Sequence, residues 1–260
     1  MPGKLHQIAD QLKADLELTG TPIQISYLDD PPAGVKEHPG GAPSVCTFFA
    51  EGQQTPFYSG MKGHEACEIG AFVLGIPPEG EKGAALMSMI GMMQKEGYLL
   101  PGEEAKVPHN PKAPKYVAYG PLGSLPMPPT SVLIFARPKS AMLAVEAAKG
   151  PVPMNGRPMC AIVPTLNAGA PVAISTACVG SRIYTQMGDD QMVIGIRGDH
   201  LEKFAQEVRA IRHANQIVGE EDTRRRNSAA HPFTKKNRGK SGASRWPPLP
   251  ELAEVGSDPG

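Results

Sequence analysis

The chain has no run of about eighteen apolar residues, which rules out an ordinary membrane-crossing helix. It also lacks an apolar signal core: Met1-Pro2-Gly3-Lys4 leads straight into an amphipathic segment, which predicts a soluble, cytoplasmic protein. Charge of either sign is not in excess, because Lys+Arg and Asp+Glu each number 26. Polyanion binding is therefore not written into the molecule as a whole, and nucleic acid is not an expected partner. Aromatic residues make up only 5%. Among motifs, the P-loop, the dinucleotide fingerprint, the nucleophile elbow and the His-Glu-x-x-His pair are missing, and with them the usual signs of their chemistries. The four cysteines contain no Cys-x-x-Cys unit of the kind that marks zinc ribbons or thioredoxin-like sites.

What is present is enough for a sizeable core: 260 residues, 40% of them hydrophobic. Gly (29) and Pro (28) exceed ordinary usage, so loops are abundant. Leu5, Ile8, Leu12 and Leu16 recur at helical steps and predict an amphipathic helix over about 4–18, ended by Gly20. Strands are expected over 22–28, over Ser44–Phe49 with Cys46 on it, over 116–119, at Ser131–Phe135 in mid-sheet, over 171–175 and over 192–196. Helices are expected from Cys67 to Leu74, ended by Gly75, and over Lys139–Lys149 with Met142, Leu143 and Val145 inward. A short helix around Cys160 should be interrupted or ended by Pro164, and a last one should start near Leu201 with Asp199 and Glu202 as a capping pair. The methionines of 83–100 read as a pliable core face rather than a thioether metal site, and 101–114 as a surface crossover able to serve as a lid.

These elements predict a single α/β or α+β domain over 1–218, a mixed sheet flanked by helices. From 219 to 260 the composition shifts to a basic Pro/Gly/Ser-containing tail. Between Arg224 and Arg245 lie eight Lys/Arg and no acid, a disordered-like segment by composition.

Each cysteine sits beside a turn. Cys67 stands where a glycine-rich loop becomes an apolar helix, a place where unpaired backbone N–H groups favour a thiolate. His64 lies three residues earlier and, if it touches Cys67, makes a Cys–His pair that carries protons. In Cys178-Val179-Gly180-Ser181-Arg182, Arg182 is a candidate anchor for an anionic small molecule; the competing reading pairs it with Asp189 or Asp190.

Further marks are Cys67-x-x-Gly70 with Leu74-Gly75, Tyr119-Gly120-Pro121-Leu122, and Val132-Leu133-Ile134 followed by Pro138-Lys139-Ser140-Ala141-Met142. Cys160, Cys178–Arg182, Asp189-Asp190 and Gly195-Ile196 complete them. In these residues and their order the chain resembles the uncharacterised prokaryotic ArCR family, domain of unknown function 169, from the first helix to about Val218. The resemblance implies a mixed α and β fold and cysteines at the positions of Cys46, Cys67, Cys160 and Cys178. It brings no settled activity. Gln191, and Arg197-Gly198 after Gly195-Ile196, depart from the family pattern.

If the four thiols converge, they suit an iron–sulfur cluster, or zinc as the alternative, since both accept thiolate ligands. The expected function is then a cysteine-ligated metal or iron–sulfur protein acting on a small molecule, by lyase, dehydratase or redox chemistry. Two alternatives stay open: a non-enzymatic small-molecule or cofactor-binding module with buried structural thiols, and a metal-free Cys–His enzyme. The methionine face and exposed loops permit a homodimer without demanding one.

Overall fold

Ser131–Ala136 is buried along its whole length and forms the middle strand of the sheet, as its unbroken apolar run predicts. The structure, a computed structural model, describes residues 2–185 and 187–228. Its strands are β1 (Ile23–Leu28), β2 (Phe57–Gly60), β3 (Tyr116–Pro121), β4 (Ser131–Ala136), β5 (Met154–Asn155), β6 (Val172–Ser175) and β7 (Met192–Arg197). They form one sheet in the order β2-β3-β1-β4-β7-β6-β5. β5 runs parallel to β6 and every other pairing is antiparallel, so the sheet is mixed and the fold is α+β. Both edge strands are short, which leaves little backbone free to template another chain.

The helices are α1 (Pro2–Asp15), α2 (Val45–Gly52), α3 (Glu68–Val73), α4 (Gly80–Lys95), α5 (Pro138–Ala148), α6 (Ile162–Asn167), α7 (Val179–Thr185) and α8 (Leu201–Ser228). Strand alternation divides the interior in two. Leu133 and Phe135 of β4 join one core with α2, α3 and α6, while Val132, Ile134 and Ala136 join the other with α1, α5 and α8. Residues up to 214 form one compact unit; of the second, which begins at 215, the described part, 215–228, is the end of α8. There Glu221 pairs with Arg224 and Arg225, and Asp222 with Arg226, at helical spacing. The basic tail expected from 219 otherwise lies outside the described residues. Among the described residues no helix is long and apolar enough to cross a membrane.

Five local expectations are corrected. Ser44–Phe49 is the start of α2, not a strand: the Ser44 side chain accepts the Thr47 N–H at 3.3 Å, and that cap outweighs the β preference of Val45, Phe48 and Phe49. The methionines of α4 are not a core face, for only Leu86 is buried while Met87 is 63% and Met92 53% exposed. On α5, Met142 and Val145 face outward and the small residues Ala141, Ala144 and Ala147 are buried with Leu143, letting the helix lie close to the sheet. Pro164 neither breaks nor ends α6, because it stands in the first turn, where a backbone N–H has no helical partner to lose. Asp199 and Glu202 flank the start of α8 but are engaged by Arg197 at 2.5 Å and Lys4 at 2.6 Å.

Candidate functional site

The four cysteines come from four separate helix beginnings and meet in one core. Cys46 is the second residue of α2 and buried. Cys67 caps α3, its Sγ accepting the Gly70 N–H at 3.3 Å. Cys160 is buried in the 3-10 turn Met159–Ala161 that leads into α6. Cys178 follows β6 and immediately precedes α7. Cys46 and Cys160 belong to the same hydrophobic core, against which Cys67 and Cys178 pack.

Two backbone features hold this arrangement. A Cβ at Gly70 would stand 2.4 Å from Val45 Cγ2 and 3.0 Å from Cys67 Sγ, so the glycine is what allows α3 to close on the start of α2. Ala177 adopts φ +71, a left-handed conformation that a side chain resists, and its N–H is held by Ser175 Oγ at 3.2 Å. That turn carries the chain from the end of β6 to Cys178.

The sulfurs sense one another. The Cys46 thiol hydrogen-bonds the Cys178 sulfur, and together with burial and the charges of the other cysteines this pushes Cys46 well above the ordinary thiol range. The same bond, assisted against burial by backbone N–H groups of Met159 and Ser181, lowers Cys178 to about 5. Burial, then the charges of Cys67 and Cys178, pushes Cys160 up. Cys178 is thus the thiolate and Cys46 its proton-bearing partner. Among the described residues, no group of three or more His, Cys, Asp and Glu side chains stands so as to hold a metal ion.

His64 is buried among rings rather than set against Cys67. Burial lowers it to about 4, so it is neutral. Nδ1–H donates to the Gly60 carbonyl at 2.9 Å, and Nε2 takes the Tyr119 hydroxyl proton at 2.9 Å. Both nitrogens are occupied, and neither is offered to Cys67. Tyr119 stacks on Phe48 and Phe57 and lies within the field of Cys46 and Cys160. Beside it, the Tyr27 hydroxyl receives the amide of buried Asn110 at 3.0 Å, and Asn110 in turn accepts from the exposed Asn167 at 3.0 Å, a polar chain reaching the surface that sequence reasoning missed.

A cavity of about 510 Å³ lies over Cys178. Arg182, Lys106, Arg157 and Glu103 bring charge to its lining, with Tyr98 and Thr176. Arg157 lies 4.4 Å from the Tyr98 ring centre and 3.4 Å from Glu103, and the Tyr98 hydroxyl accepts the Val179 N–H at 3.2 Å. Asp190 pairs with Arg137 at 3.1 Å, not with Arg182. Of the lining residues, Arg182 was visible in its motif and Lys106 lay in the crossover read as a lid. Arg157 and Tyr98 sit in no pattern that marks them.

The family model for uncharacterised ArCR, DUF169, matches residues 11–207. No curated protein and no solved structure matches the chain.

Proposed function

The chain belongs to the uncharacterised ArCR family, and we propose that it is a cytoplasmic cysteine-ligated metal or iron–sulfur protein acting on a small molecule. The observation that supports this is the meeting of Cys46, Cys67, Cys160 and Cys178 in one core from four separate helix beginnings. Scattered structural thiols have no reason to influence one another's ionisation, and these do. An iron–sulfur cluster is favoured over zinc. A single zinc ion asks every sulfur to stand about 2.3 Å from one point, whereas a cluster spreads its cysteines around several irons. Bound there, such a centre supplies electron transfer or, with one iron free of cysteine, Lewis-acid activation of a substrate oxygen.

The protein's own part is in three pieces. The N–H of Gly70 orients the Cys67 sulfur, and those of Met159 and Ser181 on Cys178 favour the anionic form a ligand must take. Tyr119 and its buried partner His64 wall off the far side from water. Arg182 anchors substrate on the open side, where the cavity meets Cys178.

Anaerobic purification, a visible spectrum, and iron, sulfide and zinc analysis of the same sample test this. Brown protein with stoichiometric iron and sulfide, both lost on Cys67→Ser or Cys178→Ser, is expected. Colourless protein, free of iron and zinc after reconstitution, would sink the reading.

The low value of Cys178 favours one second reading, a metal-free thiolate nucleophile facing the cavity. It differs from a Cys–His enzyme built on Cys67, because His64 has no free nitrogen to contribute. Alkylation of colourless protein, followed peptide by peptide, should modify Cys178 with a midpoint near pH 5 and spare Cys160.

A further inference from the structure

The cavity over Cys178 carries more positive charge than the fold uses. Arg157 is matched by Glu103 and laid on Tyr98. Lys106 and Arg182 line the same cavity and make no ion pair with any described residue. Three cations, Lys106, Arg157 and Arg182, face one carboxylate, Glu103, whose field both Arg157 and Lys106 share, and the excess positive charge is stabilised when an anion enters. The volume, about 510 Å³, is that of a small-molecule site rather than of a macromolecular groove.

We propose that this cavity binds a small molecule bearing a carboxylate or phosphate group, held by Lys106 and Arg182 and set against Cys178. The proposal names the substrate class of the same site, but it rests on the cavity and its cations and not on a metal being present. Arg182 supplies a planar fork for two acceptor oxygens, and Lys106 a point charge that adapts to the rest of the anion. Arg157, braced by Glu103 and Tyr98, fixes one wall. The thiolate of Cys178 offsets part of this charge only while no metal ligates it.

Calorimetric titration of the full-length protein as purified, at low salt, tests this, using inorganic phosphate, succinate and the neutral control succinamide. Iron and sulfide are measured on the same sample. Saturable binding of phosphate or succinate near one per chain, with none of succinamide, is expected, and which anion binds more tightly tells phosphate from carboxylate recognition. Lys106→Gln/Arg182→Gln should weaken binding at least tenfold, and Arg182→Lys should restore part of the loss, with thermal melts confirming that the variants fold. No saturable binding of either anion, or unchanged binding by the double variant, overturns the proposal. Anion binding by colourless protein upholds the proposal while removing the metal; a brown protein that binds neither anion does the reverse.

Discussion

Against one face of the sheet lie α1, α5 and α8, and the core there is built from Ile8, Leu12, Leu16, Val132, Ile134, Ile194, Ile196, Phe204 and Val208. Against the other lie α2, α3 and α6, with Phe48, Phe49, Tyr119, Cys46 and Cys160 in the core and His64 buried beside it. The first set of helices has 14, 11 and 28 residues; the second has 8, 6 and 6. Long helices bury aliphatic stripes efficiently. Short ones bring many chain reversals into a small volume, and each reversal places a side chain and an unpaired N–H at a defined point. One face is therefore built on aliphatic stripes, and the other carries positioned chemistry.

That division can be broken by mutation. Phe204→Ala should give the largest effect, a loss of about 3–5 kcal/mol in denaturant unfolding, with iron content per folded chain unchanged. A fall in iron per folded chain would show that the faces are coupled.

Acid should act on the other face. His64 titrates at about 4 when folded and 6.5 when free, so the unfolded chain binds the extra proton first. Its contribution is complete above about pH 6.5 and is lost as pH falls towards 4, about 3 kcal/mol in all. Unfolding midpoints across that range should slope downwards in the wild type and flatten in His64→Gln.

Gly70→Ala forces a Cβ onto Val45 and Cys67 and should cost about 1–3 kcal/mol and, if Cys67 is the ligand proposed above, lower iron content as well. Normal iron in a destabilised Gly70→Ala protein would separate packing from ligation. The smallest expected change is that of Arg182→Gln, within about 0.5 kcal/mol of the wild type in stability, since the side chain is exposed and makes no ion pair with a described residue. A larger loss would assign Arg182 to the scaffold.

The aliphatic face was the more readable in sequence. Its helices follow simple periodicity: Leu5, Ile8, Leu12 and Leu16 mark α1, and Leu201, Phe204, Ala205 and Val208 mark α8. Local signals on the other face competed. At Ser44–Phe49 aromatic and β-branched residues argued for a strand, and the capping bond made by Ser44 decided for a helix. Cys67 was readable as a helix start because a glycine-rich loop precedes it and Gly75, with φ +91, ends the helix. The convergence of Cys67 with Cys46, Cys160 and Cys178 depends on α2, α6 and α7 crossing the same face, a long-range matter that no local pattern records. Arg157 and Tyr98 were illegible for the same reason, since their role comes from the cavity between elements rather than from their neighbours in the chain.

The strand order has a consequence for synthesis. β1, made first, lies between β3 and β4, and β4 in turn needs β7, whose last residue is Arg197. As the chain leaves the ribosome, β1 has no partner until residues beyond Tyr116 emerge, and the thiol of Cys46 waits unpaired until Cys178 has followed it out. Assembly of the cysteine core therefore waits until Cys178 has been made. Until then the early thiols Cys46 and Cys67 lack the core that later packs around them.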